Sequence, residues 1–208
     1  LREAGELGRN VAAALGAMHR AGIVHRDLKP GNIFLIGGEV SAPKIIDFGI
    51  ARIRTTAAEI THTGIMLGTP GYMAPEQARG EPDIDARADV FALGCVLFRC
   101  LTGKPAFEGD DALAVLLKVA LEEAPRASQI RPDVPEALDA LVARMLSKNR
   151  AVRPPNGDFV LEELSSMEEL VEDRPATLDS QPPSITKAER RVVSLIVARL
   201  ARRRARGG

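Results

Sequence analysis

Tryptophan is absent from this 208-residue chain, and aromatic residues make up only 3% of it, so the core must be aliphatic. Neither sign of charge is in excess. Lys+Arg and Asp+Glu each number 28, a balance that points to neither nucleic acid nor a membrane as partner. Cysteine is scarce as well. Cys95 and Cys100 lie in an apolar helical pattern, and neither has a second cysteine at metal-ligand spacing. They read as small buried hydrophobes of a protein kept in a reducing cytosol. No signal peptide, no internal repeat and no apolar run long enough to span a bilayer is evident. Hydrophobic residues at 45% are normal for a globular protein, and the length allows one full domain with part of another. The first residue is Leu1 rather than Met, which reads as a fragment of a longer gene.

What the chain does hold is concentrated between residues 25 and 32. His25, Arg26, Asp27, Lys29 and Asn32 sit between apolar Ile23-Val24 and Ile33-Phe34-Leu35. Pro30-Gly31 forbids a helix through them, so the stretch must be a shaped loop. Before it, Leu7, Val11, Leu15 and Met18 recur at helical spacing, predicting a helix from residue 3 to about 20 that ends at Gly22. Gly5, Gly8 and Gly16 weaken its propensity, so packing must hold it. His19, near its end, reads as structural rather than as a ligand. After the loop, residues 33–36 and 40–46 read as two short strands joined by a turn at Gly37-Gly38, and Asp47 follows the second.

Residues 50–67 are polar and threonine-rich. Asp85 is a candidate N-cap for a strongly apolar helix that runs to Leu101 and stops at Gly103. Three more helical patterns cover 112–121, 135–146 and 159–170, punctuated by prolines. Pro175, Pro182 and Pro183 mark a linker, and Thr186 to Glu189 is a possible capping box. Residues 192–200 are apolar and 199–206 basic, a pattern that as a helix would suit an anionic membrane surface. Residues 190–199 also resemble the first strand of a nucleotide-cyclase-like domain. The plainest reading is a solvated tail.

Three motifs occur in order: His25-Arg26-Asp27-Leu28 with Asn32, then Asp47-Phe48-Gly49, then Ala74-Pro75-Glu76. Together they resemble the signature of protein kinases, of the bacterial (eukaryotic-like) serine/threonine type. The resemblance covers residues 1 to about 165. It implies a mainly α fold with short β-hairpins: the C-terminal (large) lobe of the protein-kinase-like α+β fold, without its N-terminal lobe. The implied domains are the lobe at 1–170, a linker at 171–185, and at 186–208 a basic tail or the start of a truncated further domain.

By the same resemblance, Asp27 accepts the proton of the substrate hydroxyl, and Lys29 offsets charge on the transferred phosphoryl group and marks Ser/Thr specificity. Asn32 and Asp47 hold Mg²⁺ (or Mn²⁺) on the phosphates of ATP, and Phe48 packs under the site. Thr69 hydrogen-bonds the catalytic Asp and Lys. Thr61 and Thr63 are the regulatory phosphosites of an activation loop, whose phosphate would pair with Arg26. His25 supports the loop, Asp89 accepts its backbone N–H groups, and Glu76 pairs with Arg153. The expected partners are ATP, protein substrates and the missing lobe, in the cytoplasm or below a membrane anchor elsewhere in the parent protein.

The sequence contains no Gly-rich phosphate loop and no Val-Ala-Ile-Lys strand. The isolated chain is therefore expected to be inactive and, with the surface around 33–46 uncovered, to self-associate. The alternative function is a pseudokinase-like scaffold or truncated interaction module.

Overall fold

The computed structural model describes residues 1–47 and 69–172. Phe48, Gly49, Thr61 and Thr63, with the rest of 48–68 and the tail beyond 172, lie outside the described residues. The first helix, α1 (Arg2–Arg20), buries Leu7, Val11 and Leu15 on one face, as the spacing predicts. It ends in a Schellman motif. Gly22 takes φ 74°, its N–H bonds the His19 carbonyl, and the Ile23 N–H bonds that of Met18. Gly8 is a packing glycine: a Cβ there would stand 2.9 Å from a methyl of Leu97.

The loop leads into a two-stranded antiparallel sheet of β1 (Ile33–Leu35) and β2 (Pro43–Ile45), with Ile33 opposite Ile45. Both strands are shorter than the sequence pattern predicts. Gly37 and Gly38 both take positive φ, 64° and 83°, and turn the chain early. Pro43 has no N–H with which to extend the ladder. Ile33 and Leu35 face the core, whereas Phe34 is exposed. The Asn10 side chain donates to the Val40 carbonyl at 3.0 Å, tying the hairpin to α1.

The short helix α2 (Pro75–Ala78) precedes α3 (Ala86–Thr102), the hub of the molecule. The Asp85 carboxylate caps α3 by accepting the Arg87 N–H at 2.9 Å, and Gly103 closes it at φ 75°. Every α3 residue from Ala88 to Phe98 is buried, because α1 and three later helices pack around it. Each such Leu or Phe is worth about 1.5–3 kcal/mol, enough to outweigh the mid-helix Gly94. Then come α4 (Ala112–Leu121), a short α5 (Ala127–Ile130) that the sequence pattern does not predict, α6 (Glu136–Met145) and α7 (Gly157–Glu172).

The α7 helix packs chiefly on α1. Beside α3, the Phe91 and Phe107 rings stack at 6.0 Å, and the Lys148 ammonium lies 3.9 Å from the Phe107 centroid. Burial lowers the pKa of that ammonium to about 8. Cys95 is buried and Cys100 half-buried; burial pushes both thiols up to about 12, consistent with inert packing residues. Among the described residues no helix is long and apolar enough to cross a membrane.

Candidate functional site

The loop at 25–32 is held in a shape that its own sequence would not choose. Arg26 takes φ 64°, a left-handed conformation uncommon for a residue with a side chain. Both of its backbone polar groups are pinned from elsewhere. Its N–H donates to Asp89 Oδ1 at 2.8 Å, and its carbonyl accepts from Gln77 Nε2 at 2.8 Å. Asp89 Oδ2 also accepts the His25 N–H at 2.7 Å and lies 3.0 Å from His19 Nε2.

His19 Nδ1 accepts the Gly157 N–H at 3.1 Å, so Nε2 carries the proton toward Asp89. One buried carboxylate thus takes three donors, and α1, the loop, α3 and the start of α7 meet on it. Backbone strain over-determined in this way is characteristic of functional loops.

The pinned loop brings three chemically active side chains together. Lys29 Nζ lies 2.9 Å from Asp27 Oδ2, with the two side chains 23% and 16% exposed, so the pair remains open to a ligand. Asn32 is buried and donates Nδ2 to the Asp27 carbonyl at 2.8 Å and to Asp27 Oδ2 at 3.2 Å. Both contacts use the amide nitrogen, which leaves the amide oxygen as the atom to take a cation.

The end of β2 is attached to the same place. The Ile46 N–H donates to the Asn32 carbonyl at 2.9 Å, and the Ile46 carbonyl lies 3.3 Å from His25 Nε2. On its other side, His25 Nδ1 accepts the Asp27 N–H at 3.2 Å. The buried imidazole therefore spans from Asp27 to the residue before Asp47. Asp47 itself is exposed and left-handed, with φ 59°.

Glu76 and Arg153 form a second, separate arrangement. Their two bonds, 2.7 and 2.9 Å, are bidentate, and the side chains are 2% and 0% exposed. Arg153 also donates to the Ser147 and Arg87 carbonyls and lies over the Phe91 ring at 5.0 Å. This pair anchors α2 rather than facing the open loop. Thr69 is exposed and lines a cavity of about 390 Å³, together with Tyr72, Arg99, Phe107 and Val115. Burial raises the pKa of the Tyr72 phenol, partly offset by Arg99, whose Nη1 lies 3.3 Å from its oxygen.

The structure therefore gathers His25, Arg26, Asp27, Lys29, Asn32 and Asp89 around one loop and sets Asp47 at the adjoining strand end. Glu76 and Arg153 pair elsewhere, Thr69 lines the cavity, and Thr61 and Thr63 lie outside the described residues. Sequence reasoning missed Gln77. Its oxygen accepts the Ala74 N–H at 3.0 Å while its nitrogen holds Arg26, so it couples the two segments. Only its place directly after Glu76 signals it. Among the described residues, no group of three or more His, Cys, Asp or Glu side chains is placed to hold a metal ion. Asn32 and Asp47 could offer an amide oxygen and a carboxylate, hard donors of the kind Mg²⁺ takes alongside phosphate and water.

The protein kinase domain family matches residues 1–165. Over 149 residues the chain is 44% identical to the serine/threonine-protein kinase PknB of Mycolicibacterium smegmatis, a match covering 71% of the chain and 23% of PknB. It is 42% identical over 144 residues to the DNA damage-responsive serine/threonine-protein kinase RqkA of Deinococcus radiodurans, covering 69% and 21% of the two proteins. With the serine/threonine-protein kinase Pkn1 of Myxococcus xanthus it shares 45% identity over 140 residues, 66% of the chain and 20% of Pkn1. The matched segment is thus about a fifth to a quarter of the length of these curated relatives.

Proposed function

Because the chain belongs to the protein kinase domain family, among the bacterial eukaryotic-like serine/threonine kinases, we propose that it is the large, C-terminal lobe of such an enzyme. In this reading it carries the residues that move the γ-phosphoryl group of ATP to a Ser or Thr hydroxyl of a protein. The observation that carries the reading is the convergence of Asp27, Lys29 and Asn32 on one loop pinned by Asp89, with Asp47 at the strand end joined to it.

Asp27 orients the incoming hydroxyl and accepts its proton as the oxygen bonds to the γ-phosphorus and the bond to ADP breaks. Lys29, hydrogen-bonded to that carboxylate, offsets negative charge on the phosphoryl oxygens. Asn32 and Asp47 would hold Mg²⁺ or Mn²⁺, which supplies charge neutralisation on the ATP phosphates. The cavity beside Thr69 and Tyr72 supports a role for this segment in seating the protein substrate. Thr61 and Thr63 are proposed autophosphorylation sites whose phosphate would pair with Arg26, and the enzyme is proposed to work in the cytoplasm.

A longer protein containing this chain together with an ATP-clamping lobe is the object to test. It should transfer labelled phosphate from ATP to a generic protein acceptor, and Asp27→Asn should lower the rate about 10²- to 10⁴-fold. An unchanged rate in that variant refutes the assignment of Asp27. The purified 208-residue chain should transfer none.

A second reading, for this polypeptide taken alone, is a non-catalytic scaffold. Exposure of Phe34 (42%) and Ile36 (47%) on the hairpin supports a surface that another lobe covers. The isolated chain should accordingly self-associate by light scattering, and Phe34→Ser with Ile36→Ser should shift it toward monomer.

A further inference from the structure

The α4 helix is amphipathic in an unusual sense, because apolar residues occupy both of its faces. Val119 is fully buried, and the helix is seated on α2 and the Pro70–Tyr72 turn. On the outer side, Leu113, Leu117 and Leu121 recur every fourth residue and are 56%, 52% and 75% exposed. Three leucines in register on one solvent-facing stripe are a docking surface in search of a partner.

The ends of the stripe identify the partner's chemistry. Glu108, Asp110 and Asp111 stand exposed before the helix, and Glu122 and Glu123 stand exposed after it. A second copy of α4 would set acid against acid in either orientation, so the charge pattern disfavours self-pairing through this face. The surface asks for a helix with an apolar stripe of the same period and basic residues at both ends.

One segment of this chain, outside the described residues, has that pattern. Val192, Ile196 and Leu200 repeat the four-residue spacing, with Arg190 and Arg191 on one side and Arg202, Arg203 and Arg204 on the other. A helix stripe of this length spans about 12 Å on either partner. Reach is not limiting. The 18 residues from Glu172 to Arg190 can extend to about 60 Å, against a radius of gyration of about 15 Å for a domain of this size. We infer that the chain's own segment 190–206 docks as a helix along the α4 leucine stripe, its arginines against the acidic ends. Val115 of α4 lines the cavity shared with Thr69–Tyr72, so a docked tail would lie beside that cavity.

The test places the photocrosslinking residue benzoylphenylalanine at Leu117 of the full 208-residue chain, carrying Phe34→Ser and Ile36→Ser to suppress association through the hairpin, and maps the products by mass spectrometry. Leu117 is exposed, so the replacement leaves the core intact. The expected product is a monomer-sized species joining position 117 to residues 190–206. Its yield should fall about tenfold on reversing Arg202, Arg203 and Arg204 to Glu, as losing several exposed ion pairs would give. Reversing Glu122 and Glu123 to Arg in the same chain should restore it. Dimer-sized products, the absence of any product within 190–206, or a yield indifferent to charge reversal each overturn the inference.

Discussion

Two acid–base pairs in this molecule have similar chemistry and opposite circumstances. Glu76–Arg153 is sealed, bidentate and further tied to backbone carbonyls and to the Phe91 ring. Asp27–Lys29 has a single contact, and both side chains keep some access to solvent. The first pair is surrounded by partners that fix it, so it can only hold structure. The second keeps part of its surface open on a loop whose backbone is pinned, so a ligand can reach its side chains while their positions do not drift. The difference lies in the neighbours rather than in the residues.

The sharpest way to break the contrast is Arg153→Met. It leaves the Glu76 carboxylate buried without a counter-charge and should cost about 3–5 kcal/mol in denaturant unfolding. Replacing Glu76 by Leu as well should recover much of that loss, because the uncompensated charge is then gone. Next in size is Asp89→Ala. It strips the acceptor from the His25 and Arg26 N–H groups and from His19, and each buried donor left unpaired costs about 1–3 kcal/mol. That variant should also free Arg26 from its left-handed backbone, visible as faster amide exchange at residues 25–27.

A smaller effect separates buried anchoring from pH. For Asp139, burial raises the carboxyl pKa, but hydrogen bonds from Ser128 and Arg126 outweigh it and hold the value below the ordinary range. A depressed carboxyl stabilises the fold fully above its unfolded value of about 4, and loses that stabilisation as pH falls through the folded value. Asp139→Asn should therefore cost about 1 kcal/mol at neutral pH and flatten part of the acid limb of the stability curve. The smallest expected effect on stability is that of Asp27→Asn, within about 0.5 kcal/mol, because its pair is partly exposed. A large stability loss there would erase the distinction drawn between the two pairs.

Much of this was legible without coordinates. The helix at 2–20, its stop at Gly22, the Asp85 cap and the long apolar helix follow from spacing and end signals, which are local properties. The site was legible as a motif because His25, Arg26, Asp27, Lys29 and Asn32 are close in sequence. The strand lengths were not, since two left-handed glycines and Pro43 shorten the ladder from within. Gln77 was not legible either: its two hydrogen bonds, to Ala74 and to Arg26, become meaningful only once α2 lies against the loop.

The order of residues alone determined the long helices and the hairpin, and it carries the motifs by which the chain belongs among protein kinases. Tertiary structure alone decided which acid is sealed and which is open, because burial and hydrogen-bond partners come from residues up to 138 positions away, as with His19 and Gly157. Local sequence sets a residue's chemistry, but only packing sets the dielectric and the donors around it, and these decide whether a carboxylate is sealed or stays open to solvent.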